Sequence, residues 1–155
     1  LGPAMALLAL AANNVVVGIA PHARAEGNGR LRKALAVRHH TRPGDVLMIA
    51  AVGDDADAEV YLPYFARRDV IPVSTLLARA APGKGLAAVR SEIERVLSAG
   101  RRVFVHEELL SSEGPYVALR SRHGLTRGAF IAFLHRHYRL GPSVHWRARE
   151  VGEIR

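Results

Sequence analysis

RPGDVLMIAAVGDDAD, residues 42–57, is the stretch on which the fold turns. Arg42-Pro43-Gly44-Asp45 is a turn, and VLMIAAV over 46–52 is a continuous apolar run without alternation. A run of that kind reads as a strand buried on both faces, as in a parallel sheet covered by helices. Gly53 and the acidic Asp54, Asp55 and Asp57 end it. A helix is predicted from Glu59 to Arg68, with Val60, Leu62 and Phe65 available for burial and Pro63 tolerable only in its first turn. Asp69 leads into VIPV, 70–73, a second short strand that Ser74-Thr75 close. The three pieces make a βαβ unit, whose parallel pairing and right-handed crossover follow from the general rule for such connections.

The rhythm continues towards the C-terminus. After a turn at Pro82-Gly83-Lys84-Gly85, the segment LAAVRSEIERVLSAG sets Leu86, Val89, Ile93, Val96 and Leu97 on one helical face, and Gly100 supplies the stop. Arg101-Arg102 introduce VFV, 103–105, a third buried strand. Strand, helix, strand, helix, strand at these intervals predicts an α/β domain: a small three-layer, Rossmann-like parallel sheet of at least three strands. Residues 107–124 read as loop. A helix is expected from Thr126 as cap through TRGAFIAFLHRHY, with Phe130, Phe133, Leu134 and Tyr138 as its core face. Gly141-Pro142 break it, and VHWRAREVGEI alternates enough for one exposed or edge strand.

Working back from the turn, LRKALAVRHH before residue 42 predicts an amphipathic helix with Leu31, Leu35 and Ala34 inside and arginines outside. Before Arg24, the first charge, runs LGPAMALLALAANNVVVGIAPHA, about as long as the roughly 20 residues that cross a bilayer. Three readings fit this lead: the end of a membrane span, a secretory signal starting at Met5 and cleaved near Ala23-Arg24-Ala25, or a core segment. The Asn13-Asn14 amides, which need partners at mid-bilayer, lend the last some support, but the length of the run puts the span end first. The absent initiator Met suggests a piece of a longer protein. The expected organisation is thus an apolar membrane-span end at 1–22, a basic juxtamembrane helix at 23–42 and a soluble α/β domain at 43–155.

With 155 residues and no cysteine, one domain is expected, and disulfides, thiolate metal sites and thiol nucleophiles are excluded. The charge of +8 and pI near 10.9 point towards nucleic acid or anionic lipid. Yet the positive charge is nearly all Arg in an Ala- and Gly-rich chain, which is also how GC-rich coding looks. Arg24, Arg30, Arg32 and Lys33 follow the lead directly, so they are candidate contacts to membrane lipid headgroups, each adding about 1 kcal/mol near the surface. By the positive-inside tendency they place this side in the cytoplasm. Basic and aromatic residues interleave from Arg120 to Trp146, but Phe130, Phe133, Leu134 and Tyr138 share helical spacing, so nucleic acid is not the expected partner.

Chemistry in an open α/β sheet gathers outside the carboxyl ends of the strands. The candidates there are Asp54, Asp55, Asp57, Ser74, Thr75, His106, Glu107 and Glu108. Carboxylates, hydroxyls and an imidazole form a set that can hold a divalent cation through oxygen or supply an acid and a base. They serve equally as helix caps and solvated turns. No cofactor motif is evident: the 82–85 turn lacks the phosphate-loop spacing, GDDAD would repel a pyrophosphate, and His135 and His137 do not share a helical face. No metal site is expected among the histidines.

An apolar helix carrying Asn13-Asn14 and ending at Pro21, then LRKALAVRHHT, RPGDVLMI, YLPYFARR before a strand and G-x-R-V-F-V after a helix, resemble in order and wording the C-terminal domain of bacterial GT-C membrane glycosyltransferases, the mannosyl- and arabinosyltransferase group. The resemblance covers roughly residues 5–108. It implies a parent in the bacterial inner membrane that transfers a sugar from a polyprenyl phosphate, with this domain outside the cytoplasm. It also implies a catalytic acid upstream of Leu1, so that no residue here inherits a catalytic role and the domain partners the transmembrane region of its own protein. The basic segment points to the other side of the membrane. Two further readings stand beside it: a membrane-anchored α/β binding module, and a small enzyme using the acidic crevice.

Overall fold

The computed structural model describes residues 29–53 and 56–141, and the backbone of 142–146 and 149–154. In chain order the elements are α1 Gly29–His40, β1 Val46–Ile49, α2 Ala58–Tyr61 running into a widened π turn Leu62–Ala66, and β2 Asp69–Pro72. Then come α3 Val73–Arg79, α4 Gly85–Ser98, β3 Val103–His106, α5 Glu108–Ser111, α6 Gly114–His123, α7 Arg127–His137, β4 Leu140–Trp146 and β5 Arg149–Ile154. The apolar lead lies outside the described residues. No helix among the described residues is long and apolar enough to cross a membrane.

The sheet has the order β2-β1-β3-β5-β4. Its first part is the parallel trio that the apolar runs predict, with Val46 opposite both Asp69 and Val103, and Met48 opposite Ile71 and Val105. All four residues of β1 and of β3 are buried. Alternation along the strands divides them between two cores, because successive side chains leave a strand on opposite faces. Val46, Met48, Val103 and Val105 meet Val89, Ile93 and Val96 of α4, Tyr116 and Leu119 of α6, and Phe130 and Leu134 of α7. Leu47, Ile49 and Phe104 meet Ala34 and Val37 of α1 and Ala58, Tyr61, Leu62 and Ala66 of α2. The result is three layers, helix on sheet on helix.

Several local expectations are corrected. The C-terminal segment is two strands rather than one: β5 pairs antiparallel with β3, Val103 opposite Ile154 and His106 opposite Val151, and β4 pairs antiparallel with β5. The expected loop at 107–124 holds α5 and α6. Pro115 sits in the first turn of α6, where its missing N–H has no partner to lose, and Gly124 (φ 68°) is the left-handed stop. Tyr116 and Leu119 bury the face between. Ser74 and Thr75, expected to close a strand, lie in α3.

Two amphipathic faces also differ. In α1 the inward stripe is Ala34 and Val37, while Leu35 stays 41% exposed. Small residues bring the helix close to the sheet, and the bulkier Leu35 falls outside that stripe. In α2, Pro63 stands beyond the first turn, inside the π segment Leu62–Ala66. Proline cannot complete an ordinary helical ladder, and the wider turn accommodates it while rotating the residues that follow. Tyr61, Leu62 and Ala66 therefore face the core, whereas Val60 (68% exposed) and Phe65 (42%) do not.

Two arginine arrangements, one around the buried Arg68 and one around the buried Asp45, hold the helical layer and the strand entrances. Arg68, 7% exposed, follows Arg67, which ends the π turn in the left-handed region. Its guanidinium donates to the carbonyls of Arg38 (3.3 Å) and Thr41 (2.6 Å) at the end of α1, to those of Ala66 (3.3 Å) and Arg67 (2.9 Å) at the end of α2, and to Thr41 Oγ1 (2.8 Å). One cation thus caps two helix C-termini, where orphan carbonyls and the helix dipole both favour positive charge. At the strand entrances, Arg102 donates two bonds to the buried Asp45, at 3.0 and 2.7 Å, and Asp45 also accepts from the Arg42 N–H at 2.6 Å.

Candidate crevice at the carboxyl ends of the parallel strands

β1, β2 and β3 run in the same direction, so the loops leaving them share one edge of the sheet. Beyond β1 the backbone turns sharply, with Ala51 at φ 54°, a left-handed conformation that costs a residue with a Cβ about 1 kcal/mol or more. Ser74, at the start of α3, holds that turn. Its N–H donates to Ala50 O at 3.2 Å and its hydroxyl to Ala51 O at 2.8 Å. The Ser74 proton is therefore directed at a carbonyl rather than a base, which is not the arrangement of an activated nucleophile.

Thr75 is next to it and donates its hydroxyl to Glu59 Oε2 at 2.8 Å, tying α3 to α2. Asp57 occupies the N-cap position of α2 without making the side-chain cap bond. Instead its Oδ2 pairs with Arg30 of α1 at 2.8 Å, and its Oδ1 is shielded from solvent with no hydrogen-bond partner among the described residues. Asp54 and Asp55 lie outside the described residues.

Beyond β3, His106 is 5% exposed and its Nδ1 faces two groups of Glu108. The Glu108 N–H approaches at 3.4 Å and the Glu108 carboxylate at 3.9 Å. The other oxygen of Glu108 lies 3.9 Å from Lys33 Nζ, and the Lys33 side chain is only 17% exposed. Glu107 turns away to Ser111, which donates to its carbonyl at 3.1 Å and to its carboxylate at 3.3 Å.

The structure thus brings Asp57, Ser74, Thr75, His106 and Glu108 to one edge. Across them it lays the first turns of α1, whose Arg30 and Lys33, three residues apart on one helical face, reach the loops after β1 and β3 respectively. Of the candidate headgroup contacts, Arg30 and Arg32 are exposed, Lys33 is half-buried against the crevice, and Arg24 lies outside the described residues. Sequence reasoning missed Glu59 and the second role of Arg30 and Lys33. The one available signal was that α1 has three basic residues in its first five positions, facing a chain whose acids cluster after the strands.

Chemically, the edge is a set of pairwise contacts rather than one convergent group. No group of three or more His, Asp or Glu side chains that could hold a metal ion occurs among the described residues. Two phenols elsewhere have raised pKa values. Burial pushes Tyr116 well above the usual tyrosine range while its hydroxyl donates to Leu109 O at 2.7 Å, and burial also raises Tyr138, near Glu94. Neither lies at the crevice. No protein-family model, curated protein or solved structure matches the chain.

Proposed function

We propose that this chain is an accessory α/β domain of an integral membrane protein, held to the membrane through the apolar lead, with the reaction centre in another part of that protein. One observation carries the reading. The helix that directly follows the lead uses its basic residues to pair with acids at the strand ends, Arg30 with Asp57 and Lys33 with Glu108. The edge that binds ligands in other open α/β sheets serves here to seat the helix through which the domain is tethered. Resemblance in layout to the terminal domain of GT-C glycosyltransferases supports a parent that uses a polyprenyl-phosphate sugar, with the domain in acceptor binding, partner docking or stability.

Membrane fractionation of the full chain expressed in bacteria tests the tether. The chain is expected with the inner membrane and resistant to alkaline carbonate, and Leu8→Arg with Val16→Arg is expected to release it, since a cation near mid-span costs about 3 kcal/mol. Recovery of the unaltered chain in the soluble fraction refutes the reading. The reading frame upstream of Leu1 tests the parent: several apolar spans support a polytopic enzyme, and a start codon at Met5 removes it.

A further inference from the structure

α1 and α2 pack on the same face of the sheet, so the residues they turn outward share the outer surface of one layer. On α1 these are Arg32, Leu35 and Arg38, at a spacing of three along one side. On α2 and its π turn they are Val60, Tyr64 and Phe65, followed by the exposed Arg67. Tyr64 is 76% exposed, and its ring meets that of Phe65 edge to face, 4.8 Å between centroids. The π turn at Pro63 places this pair outside the core. α1 contains no acidic residue, and the one acid of α2, Glu59, is bonded to Thr75.

We infer that this outer face docks on an anionic lipid surface, with Tyr64, Phe65, Val60 and Leu35 in the headgroup region and Arg32, Arg38 and Arg67 on lipid phosphates. Aromatic and aliphatic side chains interleaved with arginines, with no acid among the outward described residues of α1 and α2, are the chemistry of a membrane-surface contact. Reach supports it as well. Five peptide links separate Arg24, the first charge after the lead, from Gly29 at the start of α1. Fully extended they span roughly 17 Å. The inference rests on the proposed tether, because a lead in the bilayer confines the start of α1 to that distance from the surface. Arg30 and Lys33, which pair inward, are not the principal contacts.

The absence of cysteine makes a clean test in the full chain. Tyr64→Cys carries an environment-sensitive fluorophore, and Val117→Cys, 65% exposed on α6 across the sheet, is the control. Both are mixed with phosphatidylcholine vesicles with and without phosphatidylglycerol, floated, and quenched from the water by iodide and from the lipid by brominated chains. At position 64, iodide quenching is expected to fall several-fold and bromine quenching to appear only with phosphatidylglycerol, while position 117 stays in water. Adding Arg32→Glu, Arg38→Glu and Arg67→Glu is expected to weaken the contact by about fivefold for each arginine removed, with flotation retained. A chain that floats with position 64 as accessible as position 117 overturns the docking face and leaves the tether standing. A chain that does not float overturns both. Shielding at position 64 before vesicles are added assigns the face to a protein contact and overturns the inference.

Discussion

Removing the Arg68 guanidinium should loosen α1 from the sheet before anything else. The group is 7% exposed and makes five hydrogen bonds, four of them to carbonyls at the ends of α1 and α2, and no ion pair of Arg68 occurs among the described residues. Each bond to a charged donor is worth about 1.5–3 kcal/mol, but five bonds to one cation are not additive, and burying that cation has its own cost. Arg68→Ala leaves those carbonyls without their donor, for an expected loss of about 3–5 kcal/mol. Arg68→Lys keeps the charge with three donors and no planar fork, so about half that loss is expected. Urea unfolding followed by far-ultraviolet circular dichroism reads the difference, and at about 2–4 °C per kcal/mol the melting point of Arg68→Ala should fall by roughly 10 °C. Amide exchange should show α1 opening ahead of α4. A loss below about 1 kcal/mol, or α1 and α4 exchanging together in the variant, refutes the assignment of Arg68 as the cap of both helices.

At the entrances of β1 and β3, Asp45→Ala removes the carboxylate that Arg102 bonds twice and the acceptor of the Arg42 N–H, for an expected loss of about 3 kcal/mol. Thermal melts of Asp45→Ala and Arg102→Ala check it, and the double variant should cost less than the sum of the two. Tyr116 gives a pH signature. Its folded pKa is raised above the usual 10, so the stability it contributes is fully present below pH 10 and is lost as the pH rises, since only the unfolded chain ionises it readily. Tyr116→Phe should cost about 1 kcal/mol at neutral pH through the lost bond to Leu109, and that deficit should shrink above pH 10 in paired urea titrations. A double-mutant cycle on Arg30 and Asp57, whose side chains are 58% and 45% exposed, should return a coupling of only about 0.2–1 kcal/mol, smaller in high salt. Packing of Ala34 and Val37 and the Arg68 cap supply most of the energy that holds α1, while that pair sets where its first turn lies on the edge.

The parallel trio was legible because VLMIAAV, VIPV and VFV lack the polar alternation of a one-sided strand, and α4 and α7 because their apolar residues recur at helical intervals. Thr126 does cap α7, accepting from the Ala129 N–H at 3.2 Å. α6 was hidden by Ser112, Gly114 and Pro115, which look like loop punctuation although proline in the first turn starts a helix. The inward faces of α1 and α2 were misread for a shared reason: periodicity presumes a regular ladder and rewards large side chains. Here a proline widens the turn, and alanines make the close contact. The crevice residues could be gathered from the rule that ligands sit beyond parallel strand ends. That Arg30 and Lys33 cross to meet them depends on where α1 crosses the sheet, which no local pattern encodes.

β5 carries a consequence for how the chain is made. Residues 149–154 occupy the position between β3 and β4, beside a strand formed by residues 103–106. During synthesis at about 5–20 residues per second, the parallel trio and its two helical layers emerge first, and the outer edge of β3 waits several seconds for β5, its partner among the described residues. An open apolar strand edge is a template for any other strand, including the same edge of a neighbouring nascent chain. Among the described strands, the one that covers the β3 edge is thus made more than 40 residues after it, and mispairing between chains on one message is the hazard that this order of strands builds in.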